Sequence, residues 1–320
     1  MGPYETSVCA LSHADSSRPV HASHCRTTPR PRPASPRWPS RCSLCVLLSS
    51  ESTIGLAGDE KKTELLRGLP GAAERLVLFE ADIYDAASFE PAIQGCEFVF
   101  LVATPLQHNS GSSKYKDTTE ATLDATRTIL QQCERSKTVK RVIHTGSVVT
   151  ASPLREDGDG YKEFVNESCW TPLGLSCDHS NEYMDAYVSS KTISEEELLK
   201  YNDDFFEGRA FDVVVLALLG SVPLVHVDDV CEAHVFCMEK SSDVVGGRYL
   251  CTTAHTNMHD ILEHYARMHP ELERIKEVVG EGLRVQANTN KLVELGFKYK
   301  YGAEEVLDGS VDCGKRLGLL

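Results

Sequence analysis

Tyr187 and Lys191 are the first residues whose types and spacing suggest chemistry. Residues 184–201 are predicted to form a helix, and side chains four positions apart share one face of it. An ammonium group beside a phenol favours the phenolate, so this tyrosine could pass a proton to or from a substrate oxygen. The spacing alone is common in a chain of this length, and an ordinary helix-surface pair is the alternative interpretation.

Ser147 strengthens the catalytic interpretation. It closely follows residues 141–144, a predicted strand, and its hydroxyl could hold a substrate carbonyl oxygen beside the tyrosine. Residues 151–182 are predicted to be a loop suited to form a pocket wall. A strand-end serine followed by a helical Tyr-x-x-x-Lys fits the Ser-Tyr-Lys arrangement of nicotinamide-dependent carbonyl reductases, in which the lysine also bonds the ribose hydroxyls.

Short apolar runs alternate with helical segments in the part of the chain that must position these residues. The predicted strands are 76–79, 97–103, 141–144 and 213–216, and the predicted helices are 88–93, 117–136, 184–201 and 228–240. Asp228 or Asp229 is expected to cap the last helix. The alternation predicts an α/β fold, a doubly wound and mostly parallel sheet covered on both faces. Ligands bind such sheets beyond the carboxyl ends of the strands, which draws attention to Asp82, Ala103 and Thr104.

The charge of the chain divides it into a short basic head and a long acidic body. The formal net charge is -14, yet the first fifty residues carry six arginines against two carboxylates, and half of the 14 prolines. An acidic body is a poor binder of nucleic acid, because phosphate contacts need a basic face. No stretch approaches the roughly 18 uninterrupted apolar residues of a membrane span. The 12 cysteines, in a long chain without a secretory signal at its start, indicate thiols in a reducing compartment and a cytoplasmic protein.

The head, residues 1–57, has little apolar periodicity and is predicted to be disordered. Three alternatives remain open for it. An acid-poor, Ser-rich start could be an organelle transit peptide. The Pro-Arg run could be a docking peptide. Cys42 and Cys45, together with Cys25 and His24, could bind zinc, although no second pair follows at zinc-finger spacing.

Five blocks of the body resemble the extended short-chain dehydrogenase/reductases, in the branch of dihydroflavonol 4-reductase, anthocyanidin reductase and cinnamoyl-CoA reductase. The matching blocks are residues 58–105, 139–152, 166–173, 187–201 and 222–236. The cinnamoyl-CoA reductase type carries an Asn-Trp-Tyr-Cys-Tyr run before its catalytic lysine, where residues 181–187 here read NEYMDAY. The sequence is therefore more similar to the flavonoid reductases. The resemblance implies an NAD(P)-binding Rossmann-like fold with a small C-terminal substrate region.

The resemblance also implies roles for individual residues. Ser147, Tyr187 and Lys191 would form the catalytic triad, with the last two also binding the cofactor. The remaining cofactor contacts would come from Asp82 and Ile83 on the adenine ring, from Val102, Ala103 and Thr104 along the adenosine, and from Lys62 near the 2′-phosphate of NADP (NADPH). Each has a structural alternative: Ile83, Val102 and Ala103 would be buried in any case, Asp82 could cap the following turn, and Lys62 could be a solvated helix residue.

The sequence departs from the family pattern in two places. The fold should open with a strand, a Gly-x-x-Gly-x-x-Gly turn that holds the pyrophosphate, and a helix. Gly55 and Gly58 match two of those glycines, but Lys61 stands where the third belongs, so the fold is expected to be truncated at its first strand. A substrate-binding segment of the family is absent after Leu216. The predicted division is a head at 1–57, a cofactor domain at 58–215 and a substrate-side region at 216–320.

Three functional hypotheses follow from the residues and the resemblance. The first is an NADP-dependent oxidoreductase that reduces a carbonyl or related group of a flavonoid-like phenolic, with Tyr187 as proton donor. The second is a non-catalytic homologue without cofactor binding, such as a splice or gene-model variant. The third is a nucleotide-sugar epimerase or dehydratase of the same extended family. The first predicts a small-molecule partner and no nucleic acid or membrane, and the sequence does not indicate an oligomeric state.

Overall fold

The computed structural model of this chain describes residues 9–11, 44–47, 64, 66–69, 71–79, 81–102, 114–175, 181–203, 209–217, 222–240, 246–272 and 286–320. Its strands are β1 Cys9–Leu11, β2 Leu44–Leu47, β3 Leu76–Val77, β4 Phe98–Leu101, β5 Arg141–Thr145, β6 Phe164–Val165, β7 Asp212–Ala217, β8 Val222–Leu224, β9 Gly247–Leu250, β10 Ala254–Thr256 and β11 Gln286–Ala287. Its α-helices are α1 Ala72–Arg75, α2 Glu90–Ile93, α3 Thr118–Ser136, α4 Glu182–Asp203, α5 Val227–Glu239, α6 Met258–Met268, α7 Lys291–Glu294 and α8 Ala303–Arg316. Single 3₁₀ turns cover Ala86–Phe89 and Val148–Thr150.

Seven of these strands form one sheet in the order β3-β1-β2-β4-β5-β7-β9. β2, β4 and β5 run parallel to one another, and β1 is antiparallel to both of its neighbours. All four residues of β4 are buried, as expected of a strand with both faces covered. The predicted α/β fold with a mostly parallel sheet is confirmed. Two small sheets, β8 with β10 and β6 with β11, accompany it.

The sequence predicts a disordered head and a missing first strand. The structure instead has two strands, β1 and β2, within residues 1–57. Both strands come from the head, and Leu44–Leu47 lies parallel to Phe98–Leu101 in register. The reason is physical: a β4 edge without a neighbour would leave a row of backbone groups unpaired, and the apolar Leu-Cys-Val-Leu run is suited to pair with it. Cys25, Cys42 and His24, named above as zinc ligands, lie outside the described residues.

Local side-chain hydrogen bonds set the ends of two helices. α3 begins as predicted, because the Asp117 carboxylate accepts the Glu120 N–H at 2.8 Å. The predicted cap of α5 is wrong: His226 Nδ1 accepts the Asp228 N–H at 3.2 Å and takes that place. Asp229 is instead buried, where it accepts the backbone N–H groups of Lys300 and Tyr301. The helix predicted at 184–201 is confirmed and is longer than expected at both ends.

The chain divides into two compact units, each with its own interior. The first consists of residues 1–145, 180–214 and 245–247, and it contains the buried Arg141, whose guanidinium binds both oxygens of the Asp212 carboxylate. The second consists of residues 146–179, 215–244 and 248–320, with an apolar cluster of Leu224, Ile261 and Leu307. None of the helices in the described ranges is long and apolar enough to cross a membrane.

Candidate active site

Tyr187 and Lys191 lie one turn apart on α4, in the first unit. Lys191 is 6% exposed and Tyr187 is half-buried. Two serines that follow them satisfy the helix backbone: Ser190 Oγ donates to the Tyr187 carbonyl at 2.9 Å, and Ser194 Oγ donates to the Lys191 carbonyl at 3.0 Å. The burial of Lys191 does not fit the alternative of an exposed helix-surface pair, and its catalytic role stays a prediction.

Two contacts from α3 hold this stretch of α4 in place. The Arg127 guanidinium donates to Glu197 Oε1 at 2.6 Å, and the Tyr201 hydroxyl donates to Glu134 Oε1 at 2.7 Å. The two α4 partners lie C-terminal to Lys191, on either side of the fully buried Leu198. The α4 backbone is therefore fixed by packing and by polar contacts, and the tyrosine and lysine are presented from a rigid element.

Ser147 lies in the second unit, at the start of the 3₁₀ turn Val148–Thr150. Its carbonyl is used by the turn, because Thr150 donates its N–H at 3.1 Å and its hydroxyl at 2.8 Å to that oxygen. Its own Oγ is 3.4 Å from the Val149 N–H, a weak contact. Ser147 is half-buried, and its hydroxyl oxygen is the acceptor in that contact.

Arg248 binds the 3₁₀ turn Val148–Thr150 that follows Ser147. The sequence patterns above did not predict this role. The side chain is 5% exposed, and its Nη2 donates to both the carbonyl and the hydroxyl of Thr150. Nη1 donates to the carbonyls of Glu167 and Cys169, and the guanidinium lies 4.0 Å over the Trp170 ring. A sequence signal did exist, since an arginine inside the apolar β9 strand must find buried acceptors.

Thr171 completes this arrangement from the resembling block 166–173. Its hydroxyl donates to the Val149 carbonyl at 2.6 Å, and its N–H donates to the Thr150 carbonyl at 3.1 Å. The carbonyls of Ser147, Val149 and Thr150 are thus all engaged by neighbours. The block 166–173 therefore helps to fix the turn after β5. That residues 151–182 form a pocket wall stays a prediction.

Asp82, Ile83 and Val102, which are predicted to contact the adenosine of the cofactor, lie in the first unit. Asp82 is exposed, and its Oδ1 accepts the Tyr84 N–H at 3.0 Å, which is the turn-capping alternative considered for it. Ile83 is 5% exposed, so its burial has a packing explanation. Val102 directly follows β4 and is half-buried. Lys62, Ala103 and Thr104 lie outside the described residues.

Comparison with known proteins places the chain in a family. The model of the 3-beta hydroxysteroid dehydrogenase/isomerase family matches residues 59–222. A vestitone reductase of Medicago sativa is 31% identical, covering 85% of this chain and 91% of its own length. A putative anthocyanidin reductase of Ginkgo biloba is 29% identical, covering 84% and 88%. The crystal structure of the alfalfa vestitone reductase has a TM-score of 0.64 at 28% identity, covering 80% of this chain and 88% of that one.

The mostly parallel sheet with helices between its strands is a Rossmann-like fold, and it matches the fold of solved reductases. The yeast reductase Gre2, solved with NADPH, has the same fold, with a TM-score of 0.54 at 19% identity over 75% of this chain. The chain belongs to the 3-beta hydroxysteroid dehydrogenase/isomerase family, and the resemblance to extended short-chain dehydrogenase/reductases is confirmed. The alignment with vestitone reductase is 305 positions long, but it includes only 85% of the 320 residues of this chain. Some of its positions are therefore gaps in this chain, so the relative has residues without a counterpart here.

Proposed function

We propose that this chain is an NADP-dependent oxidoreductase that reduces a carbonyl or related group of a flavonoid-like phenolic. The observation that carries the proposal is the pair of Tyr187 and buried Lys191 on α4, in a chain of this family. The names of the relatives, which include vestitone reductase, anthocyanidin reductase and dihydroflavonol 4-reductase, support the substrate class. The group acted upon is proposed as a carbonyl, with its product CH–OH.

Each member of the triad has a separate chemical task in this proposal. Tyr187 supplies the proton to the substrate oxygen, and the Lys191 ammonium favours the phenolate that remains. The Ser147 hydroxyl donates a hydrogen bond to the same oxygen and polarises the carbonyl. When bound, NADPH supplies the hydride that reduces the carbonyl carbon. The turn anchored by Arg248 fixes the backbone of Ser147, which lowers the reorganisation needed during the reaction.

The described residues are suited to bind the nicotinamide ribose and the adenine of NADPH, but they are less suited to bind its pyrophosphate. The buried ammonium of Lys191 and the half-buried Tyr187 suit the ribose hydroxyls beside the nicotinamide. The exposed Asp82 has a carboxylate oxygen beyond the one used by Tyr84, and it could accept from the adenine amine. The sequence holds no Gly-x-x-Gly-x-x-Gly turn for the pyrophosphate. We therefore expect weaker cofactor binding than in relatives that carry this turn.

The missing glycine turn also supports a second candidate, a homologue that folds but does not hold the cofactor. The epimerase or dehydratase alternative has less support, because the vestitone and anthocyanidin enzymes named above are reductases. A cytoplasmic location is proposed for the oxidoreductase. It is supported by the free thiols of the seven cysteines whose side chains the structure describes.

A titration of the purified full chain with NADPH, followed by fluorescence and calorimetry, tests the proposal. Saturable binding, together with NADPH oxidation on a panel of dihydroflavonols, isoflavanones and anthocyanidins, is the expected result. Chromatography of the products then identifies the group that was reduced. No binding by a chain that unfolds cooperatively would contradict the oxidoreductase and support the second candidate. Binding of NADPH with turnover of nucleotide sugars alone would support the third.

A further inference from the structure

A cluster of two histidines and one aspartate lies in the second unit and includes none of the residues discussed for the reductase. His264 is on α6, His269 directly follows that helix, and Asp308 is on α8. His264 Nε2 lies 2.7 Å from Asp308 Oδ1, and His269 Nε2 lies 2.9 Å from the same oxygen. The three ligand atoms all lie within 4.8 Å of one another. Two imidazole nitrogens and a carboxylate oxygen thus converge on one point.

The two helices that supply these ligands are held together independently of the cluster. Ile261 of α6 and Leu307 of α8 belong to one apolar cluster. The Tyr265 hydroxyl bonds Ser310 Oγ at 2.9 Å, and Arg267 forms an ion pair with Glu304 at 3.0 Å. The ligand positions are therefore fixed by packing before any ligand binds, which reduces the entropic cost of assembling a site.

A second carboxylate lies near the other ring nitrogen of His269. The other ring nitrogen, Nδ1, lies 3.8 Å from Glu271 Oε1, and Glu271 is in turn held by Lys315 Nζ at 2.7 Å. At 3.8 Å this contact is longer than a hydrogen bond, whereas the 2.9 Å contact of Nε2 with Asp308 Oδ1 is within hydrogen-bond distance. A metal ion bound between the imidazole nitrogens and Asp308 would replace the hydrogen-bonded protons, which would be released to solvent.

We propose that His264, His269 and Asp308 form a binding site for Zn²⁺. Two imidazoles with one carboxylate, and a fourth position taken by water, is a donor set that zinc accepts in proteins. The Asp308 side chain is 38% exposed, so solvent can reach the site and supply a water ligand, whereas the His264 side chain is 6% exposed. Tetrahedral ligands at about 2.0–2.2 Å from zinc stand roughly 3.4 Å apart, so small rotations of the two rings complete the geometry. The bound ion would tie α6 to α8.

The test uses the full chain without an affinity tag, stripped with a chelator and titrated with Zn²⁺ by calorimetry at neutral pH. We expect wild-type chain to bind one more equivalent than Asp308→Asn or His269→Gln. The matched control is His259→Gln, an exposed histidine on the same helix, which keeps the equivalent. Thermal unfolding with and without Zn²⁺ is the second readout, and zinc should raise the Tm more in wild type and the control than in the two ligand variants.

Co²⁺ used as a spectroscopic probe separates this site from the cysteines of the chain. The equivalent lost in the ligand variants should show ligand-field bands without a thiolate-to-cobalt charge-transfer band. Equal zinc stoichiometry in wild type and both ligand variants, or thiolate bands in the equivalent that is lost, would overturn the site. If Asp308→Asn does not fold, His269→Gln decides, because it removes one partly exposed ligand. The outcome is independent of NADPH binding, which is measured at other residues.

Discussion

The guanidinium of Arg248 holds both oxygens of Thr150: Nη2 lies 3.1 Å from the carbonyl oxygen and 3.0 Å from Oγ1. Thr150 in turn gives its N–H and its hydroxyl to the carbonyl of Ser147. One buried arginine therefore determines the backbone path of the serine through a single intermediate residue. The strand that carries Arg248 comes late in the chain, so the serine turn is completed only when that strand is in place.

Arg248→Lys should lower the free energy of unfolding by about 2–4 kcal/mol, because an ammonium cannot reach the four acceptors that the planar fork serves, which leaves buried carbonyls unsatisfied. Urea denaturation measures the change. The control is Arg267→Lys, whose side chain is 62% exposed and pairs with an exposed glutamate, so its effect should stay within about 0.5 kcal/mol. Equal losses in the two variants would refute a special role for Arg248.

Tyr187→Phe should lower kcat by roughly 10²–10⁴-fold with nearly unchanged NADPH affinity, because the ring is kept and only the proton donor is removed. Stopped assays on a substrate found in the panel, with NADPH binding measured in parallel, provide the two numbers. Tyr161→Phe, at an exposed tyrosine, is the control and should leave both unchanged. Wild-type turnover in Tyr187→Phe would remove this residue from the mechanism.

Asp212→Ala should destabilise the first unit by about 3–5 kcal/mol, because it leaves the buried Arg141 guanidinium without the carboxylate that binds it at Nε and Nη2. Replacing both partners by apolar residues, as in Arg141→Met with Asp212→Leu, should cost less than the single change. Chemical denaturation of Arg141→Met, Asp212→Leu and the double variant that combines them gives the coupling energy. Additive effects would mean that the pair does not interact energetically.

His234 should make the stability of the chain depend on pH. Burial lowers the pKa of His234 below its ordinary value of 6.5, against the opposing effect of its hydrogen bond with the Val230 carbonyl. The unfolded chain therefore binds a proton as the pH falls through 6.5, while the folded chain does not. The stabilisation is present above this pH and is lost below it, with a slope of up to about 1.4 kcal/mol per pH unit.

Urea denaturation of wild type and His234→Gln, at about pH 7.5 and about pH 5.5, measures that contribution. The stability advantage of wild type over the variant should shrink at the lower pH, because glutamine does not titrate. His259→Gln, at an exposed position of α6, should show the same difference from wild type at both values. A pH-independent difference for His234→Gln would contradict the effect of burial.

Local sequence patterns predicted the regular elements well and the non-local contacts poorly. The helical spacing of apolar residues in α3, and the apolar runs of β4 and β7, determine those elements through nearby positions. His226 replaced the expected aspartates as the cap of α5 because Asp229 is used by the backbone of Lys300 and Tyr301, far along the chain. No local pattern contains that competition.

The same reason explains the site residues that sequence reasoning did not find. Arg248 meets its acceptors across a long stretch of chain, and Asp308 meets His264 across the interval between two helices. Tyr187 and Lys191 were recognised because four-residue spacing on one helix is a local relationship. The triad roles themselves stay predictions, since they rest on the family resemblance of individual positions.

Leu44–Leu47 pairs in parallel with Phe98–Leu101, and this pairing would allow a phosphate-binding segment to be inserted after Leu47. The carboxyl ends of parallel strands lie at one edge of a sheet, so a segment inserted after Leu47 starts on the same edge as the residue that follows Leu101. A relative's glycine-rich turn and helix could be transplanted there without altering the strand pairing. Pairing with β4 and binding a phosphate are thus separate properties of this part of the fold, and the strand pairing does not require a glycine-rich turn.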